Sequence, residues 1–499
     1  MTDRTRPRHP ALAATLSFLF PGLGQAYAGR PRLALLFAVP VLLLLAGIGL
    51  SYLLFADRLR NQVLSSSFLV AVLVLDAALL LWRLFAIAQA GFGGTADTPA
   101  RAPADGQGTG IARPRRRAAR IGFVSLLMLA TIGMHAYLGM VVGELNTTLG
   151  RVFDGGKVAD ARGGNDAQPL NRPEYRWNGT ERINFLLLGV DSGVGRDEAL
   201  TDTILVVSVD PVARTAVMVS VPRDTGYVPL PDTSVYRDGV YPRKINQLST
   251  DADLDPKLWC PDLPSGTDCG LRTLERSVGL YLGIAIQYYA TVDLAGFTEL
   301  IDAVGGVDLC LPGALVDDQY GGPTWSPRVG IRLESGCQHY DGPHALAFAR
   351  IRKGYIELPD GTREGQNDFK RAERQQEVLL ALRSELARAN LVFDLPGILD
   401  AIGRTVTTDF PRGKSGDLAT LLPLVTGPDI ERVVLGYPEF VDPPLNPDVN
   451  YLLVPKRGAI RTQMRRLFGD DLEGWYLGSR ADAPPSFSPD PSASASESP

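Results

Sequence analysis

The chain has 499 residues, 45% hydrophobic and 21% charged, a balance that excludes a disordered or collagen-like protein and, at roughly 150 residues per domain, allows two to four units. Charge is divided along it: residues 1–120 carry 14 arginines, no lysine and 5 aspartates, a net +9, which leaves −14 for the remainder. An acidic remainder of that size argues against a nucleic-acid reader.

The first element is LSFLFPGLGQAYAGR, residues 16–30. It is too short and too rich in glycine for a membrane span and reads as an interfacial or re-entrant helix followed by a turn. The string resembles the PGLGQ-Y-G turn of small bacterial membrane hairpin modules. Three stretches then reach the roughly 20 apolar residues that a hydrocarbon layer requires: 33–55, 67–90 and 121–143. Arg113, Arg115, Arg116, Arg117 and Arg120 precede the third, and the positive-inside rule puts such a loop in the cytoplasm. Counting back places Arg4, Arg6, Arg8, Arg30 and Arg32 inside as well. The expectation is a multi-pass protein of the cytoplasmic membrane with a cytoplasmic N-terminus and everything after Gly143 outside. No signal-peptide cleavage site is evident, so the spans should be retained. Asp76 lies mid-span and is expected to pair with Arg83, seven residues on, or with a neighbouring helix; His135 reads as a packing residue.

Residues 144–182 read as a polar stalk, 183–478 as the folded external unit, and 479–499 as a disordered Pro/Ser-rich tail. All four cysteines, Cys260, Cys269, Cys310 and Cys337, fall in the external unit. An even count in an oxidising compartment points to two disulfides, and the spacings contain no CxxC pair of the kind that binds zinc. Of the three possible pairings, Cys260 with Cys269 and Cys310 with Cys337 is favoured, because the first closes a short loop.

From Ile183 strands and helices alternate. INFLLLGVD is a continuous apolar run, and TILVVSVD and TAVMVSVP flank a short Pro-containing turn, so they read as a hairpin in a buried sheet. Helices follow at 271–282 and 294–304, with strands QYYATVD between them and VDLCLP after, then a long helix over 367–389. The fold class is α/β: an α-β-α sandwich with a central mixed sheet, preceded by three transmembrane helices.

Strand ends in such sheets gather ligands. Asp191 and Asp202 arrive there, and two carboxylates suit Mg²⁺; Arg223 and Asp224 end the hairpin's second strand, with Lys244 following in KIN. Arg350 and Arg352 stand in FARIR. In DFKRAERQQ, Asp368, Arg371 and Gln375 share a helical face at i, i+3 and i+7, with Arg374 beside them. Arginine forks match phosphate oxygens, so carboxylates for a metal beside an arginine cluster make a diphosphate site.

The ordered blocks INFLLLGVD, TDTILVVSVDP, VSVPRDT, KIN, YYATVDLAGFTELIDAVGGVDLCLP and YDGPHALAFARIR with DFKRAERQQ resemble the LytR-CpsA-Psr family of bacterial cell-wall ligases over residues 183–385. The resemblance implies transfer of a glycopolymer from a polyprenyl-diphosphate carrier onto peptidoglycan. It implies Asp191 and Asp202 as Mg²⁺ ligands and Arg223, Lys244, Arg350, Arg352, Arg371, Arg374 and Gln375 around the diphosphate. Arg223, Asp224, Asp368 and Arg371 are the implied catalytic groups. Gly193 and Leu200 stand where many members have arginine, with Arg196 in the same loop, and 354–366 is an insertion read as a mobile flap.

A peptidoglycan hydroxyl would attack the phosphorus carrying the glycopolymer and polyprenyl phosphate would leave, with Mg²⁺ and arginines stabilising the growing charge. Asp224 and Asp368 are the candidate bases, and a carboxylate paired to arginine is a poor one. His339 and His344 read as structural. The lipid needs an apolar channel. A lipid-diphosphate hydrolase and a non-catalytic polyprenyl-phosphate-binding regulator remain open beside the transferase.

Overall fold

The computed structural model describes residues 9–93, 112–154, 177, 180–191, 200–231, 235–261, 268–321, 330–388, 394–414, 417–418, 421, 430–443, 451–469 and 472. The chain divides into two compact units, Met1–Thr147 and Thr148–Pro499. Gly193, Arg196, most of the stalk and the tail lie outside the described residues.

Unit one is helical: α1 (Pro10–Leu19), α2 (Leu23–Tyr27), α3 (Pro31–Gln62), α4 (Ser66–Phe92) and α5 (Ala112–Asp154). Within α3, α4 and α5 the segments Pro31–Phe55, Ser66–Phe92 and Arg117–Phe153 are long and apolar enough to cross a membrane. Leu43, Leu53, Leu81 and Leu129 stand out from them, as side chains facing hydrocarbon do. The PGLGQ string is a tight corner. Gly22 adopts φ +101°, and a Cβ on Gly24 would lie 2.0 Å from the Ala13 carbonyl, so only glycine lets α2 press on α1. Gln25, fully buried, accepts from Ser17 Oγ at 2.9 Å and donates to Ala86 O and Gln89 Oε1, tying the corner to α4. Asp76 meets His135 of α5 at 2.7 Å, whereas Arg83 donates to the Phe18 carbonyl. The neighbouring helix is therefore the partner of Asp76. The helix of the third span does not stop at Gly143; it runs to Asp154, so the first part of the stalk is helix.

Unit two is built on a six-stranded mixed sheet. Its strands begin with β1 (Ile183–Asp191), β2 (Leu200–Asp210) and β3 (Thr215–Ser220), an antiparallel run in which Leu186 faces Val206 and Val207 faces Met218. After a short pair, β4 (Val228–Pro229) and β5 (Val240–Tyr241), come helices α6 (Leu248–Leu254), α7 (Pro256–Trp259) and α8 (Cys269–Leu282). Strand β6 (Tyr288–Asp293) joins β1 in parallel, and α9 (Leu294–Ala303) follows, capped by the Asp293 carboxylate. Then come β7 (Val307–Leu311), β8 (Ala314–Asp317), β9 (Ile331–Leu333), β10 (Gly336–Tyr340), α10 (Gly342–Arg350), β11 (Tyr355–Glu357), β12 (Arg363–Gly365), α11 (Asp368–Arg388), α12 (Leu395–Thr405), β13 (Val406–Thr408) and β14 (Ile430–Val434). The central order is β13-β6-β1-β2-β3-β14.

Period-two alternation divides the sheet's two faces. Leu186, Leu188, Ile204 and Val206 enter one core with Leu274, Val278 and Tyr281 of α8. Leu187, Gly189, Thr203 and Leu205 turn to the other face, toward α9, α10 and α11. A second core joins Leu300, Val307, Phe348, Ile356 and Val378.

Strand β7 pairs with β10 outside the central sheet, and within the 354–366 insertion β11 and β12 form a hairpin whose first strand pairs with β8. A Cβ on Gly354 would meet the Val316 carbonyl at 1.9 Å, which pins the hairpin's entry. The disulfides are Cys260–Cys269 and Cys310–Cys337, the second linking directly opposed residues of β7 and β10. Replacing Cys310 and Cys337 together by serine should lower unit-two stability by about 3 kcal/mol in urea unfolding of the oxidised protein.

Candidate functional site

The site starts from an irregularity in β2. Gly189 pairs with Thr203 but Val190 pairs with Thr201, so Asp202 is the extra residue of a β-bulge and its side chain leaves the strand's alternation. The strand beyond β3 runs alongside, with Val221 N bonded to Ile204 O, and brings Arg223 opposite the bulge. Arg223 Nη1 donates to Asp202 Oδ1 at 2.6 Å. KIN is laid against the same turn: Ile245 N bonds Thr225 O and Asn246 N bonds Arg223 O. Lys244 Nζ thereby reaches Asp224 Oδ1 at 2.7 Å.

Helix α11 delivers the rest. Asn367 Oδ1 caps its first turn by accepting from Lys370 N. Asp368 lies 3.3 Å from Arg371 Nη1, 3.6 Å from Arg223 Nε and 4.0 Å from Arg352 Nη1. Arg371, only 6% exposed, donates from Nη2 to the Asp202 carbonyl in the bulge. Asp202, Arg223, Asp224, Lys244, Arg352, Asp368 and Arg371 therefore form one cluster. The Nε–H groups of Arg223 and Arg371 are buried there without a hydrogen-bond acceptor, a costly condition for a charged donor.

The two remaining carboxyls are driven apart. Burial pushes the Asp224 pKa up, its hydrogen bond to Asp368 adds to that, and Lys244 opposes without reversing it. Burial also works to raise Asp368, but Arg371, the bond to Asp224, Arg223 and Lys244 outweigh it and hold Asp368 below the usual carboxylate range. Burial disfavours the charge on Arg223 too, yet Asp202 and Asp368 leave its pKa raised.

Three expected diphosphate residues sit elsewhere. Arg374, 5% exposed, donates from Nε to Phe348 O at 2.7 Å and also to Ile351 O and Gln366 Oε1, so it fastens the end of α10 and the insertion. Burial pushes its pKa down to about 10. Gln375 Nε2 donates to Ala349 O, and with Arg350 it lines a small apolar groove of about 90 Å³. Leu187, Leu205, Val292, Phe297, Leu346 and Val378 form the groove's walls. Asp191 ends β1 opposite Leu200, and its side chain lies outside the described residues. His339 pairs with Asp308 and His344 with Asp341, away from the cluster. Sequence reasoning missed Gln376, which bonds Ser220 Oγ and Val433 O beneath the site, and Tyr451, whose ring lies 5.8 Å from Lys244 Nζ. The repeated glutamine in ERQQ was a signal for the first; nothing local marked the second.

Carboxylates and guanidinium groups at sheet ends beside an apolar groove define a class: an α/β protein with apolar N-terminal helices and a buried charged cluster. The chain belongs to the LytR_cpsA_psr family, which matches residues 156–435. It is 28% identical over 307 residues, covering 60% of this chain and 79% of the relative, to a protein of Oceanobacillus iheyensis named polyisoprenyl-teichoic acid–peptidoglycan teichoic acid transferase TagU. It is 29% identical, over 58% of this chain and 54% of the relative, to the cell wall biosynthesis protein LcpA of Corynebacterium glutamicum. The crystal structure of B. subtilis TagV aligns with a TM-score of 0.42 at 24% identity, over 57% of this chain and 97% of that one.

Arg374→Ala should cost about 3 kcal/mol of stability by urea unfolding, since it strips charged hydrogen bonds from buried carbonyls. Arg352→Ala, at a half-exposed position, should leave stability within about 0.5 kcal/mol.

Proposed function

We propose that this chain is a membrane-anchored phosphotransferase that moves a glycopolymer from a polyprenyl-diphosphate carrier onto peptidoglycan. The observation that carries the reading is the pair of buried Nε–H donors on Arg223 and Arg371, lacking acceptors, with Arg371 on the α11 face that also lines an apolar groove. Phosphate oxygens satisfy the donors and a polyprenyl chain fills the groove. The names of the relatives support the substrate class. The arginines before α3 and at the start of α5 support a cytoplasmic N-terminus, with unit two outside the membrane.

The arginines hold the diphosphate, and Arg352, half-exposed, and Lys244 add charge at its edge. A peptidoglycan hydroxyl attacks the phosphorus that carries the glycopolymer. The bond from that phosphorus to the bridging oxygen breaks, and polyprenyl monophosphate leaves with the electron pair. Charge grows on the departing phosphate, which fixed guanidinium groups stabilise more in the transition state than before it. The hydroxyl proton passes to Asp224, whose raised pKa makes it the stronger base of the two carboxylates. Asp368 stays ionised and keeps Arg371 and Arg223 in place.

Hard carboxylate oxygens at paired strand ends fit Mg²⁺. Asp191 stands opposite Leu200, and Asp202 lies two residues on, with one oxygen engaged by Arg223. These two residues would hold the ion, which when bound neutralises phosphate oxygens.

With the full-length chain in lipid vesicles, a polyprenyl-diphosphate glycan and peptidoglycan oligomers, coupled product should form and require Mg²⁺. Arg371→Ala should lower turnover by at least about a hundredfold. Glycan phosphate released with acceptor present would mean a hydrolase, and lipid retained without turnover a binding protein. Asp368→Asn removes the charge that raises Asp224, so the acid limb of the kcat/KM profile should move to lower pH; an unmoved limb would remove Asp224 as the base.

A further inference from the structure

The groove and the charged cluster lie in order along α11. Leu379, Val378 and Gln375 line the groove, Arg371 stands one turn nearer the N-terminus, and Asp368 opens the helix. At 1.5 Å per residue, Asp368 lies about 15 Å along the axis from Val378. Asp368 is hydrogen-bonded to Asp224, Asp224 to Lys244, and the Lys244 ammonium lies 5.8 Å from the centre of the Tyr451 ring. A ligand with its lipid in the groove and its diphosphate at the arginines therefore turns its glycan-bearing phosphorus toward the Asp224 end, and the acceptor hydroxyl, which enters opposite the departing polyprenyl phosphate, comes from that end, where Tyr451 stands.

Tyr451 is held there by backbone. Leu453 N bonds Asp224 O at 2.9 Å, Gly226 N bonds Leu453 O at 3.0 Å, and Thr225 and Leu453 form a parallel bridge. Leu452 and Leu453 are 5% and 3% exposed, yet Tyr451 beside them is 47% exposed. Gly226 approaches Leu452 so closely that a Cβ would lie 3.0 Å from Leu452 Cδ2. The segment is thus clamped to the turn that carries Asp224, with one large ring left in solvent at the cluster's edge. A ring face carries negative charge, which draws the Lys244 ammonium and equally the C–H face of a pyranose.

We propose that Tyr451 is a stacking platform for the acceptor sugar ring, placing its hydroxyl beside Asp224. This rests on the transferase reading for the identity of the sugar. Tyr451 is a positioning residue: it makes no bond and takes no proton, and its hydroxyl is dispensable.

The test is binding, independent of turnover. Full-length wild-type protein, Tyr451→Ala and Tyr451→Phe, each in nanodiscs, are titrated with a soluble peptidoglycan tetrasaccharide and followed by saturation-transfer NMR. Wild type should bind, Y451F should bind within about twofold, and Y451A about tenfold more weakly. Binding of a short-chain polyprenyl diphosphate, measured in parallel, should be equal in all three and reports that Y451A is folded. Equal glycan binding by Y451A, loss in Y451F as large as in Y451A, a parallel loss of lipid binding, or no glycan binding by wild type would each overturn the proposal. Wild-type glycan binding without coupled turnover would instead sink the transferase reading and leave the platform standing.

Discussion

Everything at the site hangs on Arg371. Its guanidinium is buried between the first turn of α11, where it meets Asp368, and the bulge of β2, where it meets the Asp202 carbonyl. Burial, helped by the neighbouring Arg223 charge, drives its pKa down against the pull of Asp368 and Asp202. A charge in that position is tolerable only with several oxygen partners. Those partners come from two distant parts of the chain, so the same contact that keeps Arg371 charged also locks helix to sheet. Its Nε–H still lacks an acceptor, and so does that of Arg223. Two buried cationic donors are thus left without an acceptor, the feature on which the proposed diphosphate site rests.

Much of the frame was legible because its causes are local. INFLLLGVD and TILVVSVD are apolar runs bounded by turn residues, and the long helix that became α11 shows its amphipathic period in the sequence. The family blocks named nearly every member of the cluster, since KIN and PRDT are each short enough to carry their geometry with them. What was hidden depends on partners far away. That Arg374 faces carbonyls of α10 while Arg371, three residues earlier, faces the cluster follows from how α10 packs, which helical spacing does not encode. Tyr451 reaches the site only through the Thr225–Leu453 bridge. The buried triad of Arg272 with Glu275 and Asp409 joins residues more than a hundred positions apart and leaves no pattern at all. The hairpin within the insertion was hidden too: its polar, Gly-containing composition does not announce strands, and its pairing with β8 is invisible locally.

Unit one shows the same division. Three apolar stretches announce themselves by length, whereas the function of the PGLGQ corner emerges only from packing. Gly24 and Gln25 are paired requirements, one removing a side chain so that α2 can touch α1, the other filling the contact with hydrogen bonds to Ser17, Ala86 and Gln89. Polar groups within apolar helices are costly unless they bond one another, and Asp76 with His135 obeys that rule across α4 and α5.

The central claim is that the lipid of the substrate lies in the groove between β1, β2, α9 and α11, with its diphosphate at Arg371. Photo-crosslinking tests it directly. A polyprenyl diphosphate bearing a diazirine on its isoprenoid chain is irradiated with the full-length protein, and the labelled residues are mapped by mass spectrometry. The account predicts labels on Leu187, Leu205, Phe297 or Val378, reduced when Arg371 is replaced by alanine. Labels confined to other surfaces of unit two or to α3–α5, unchanged by that replacement, would contradict it.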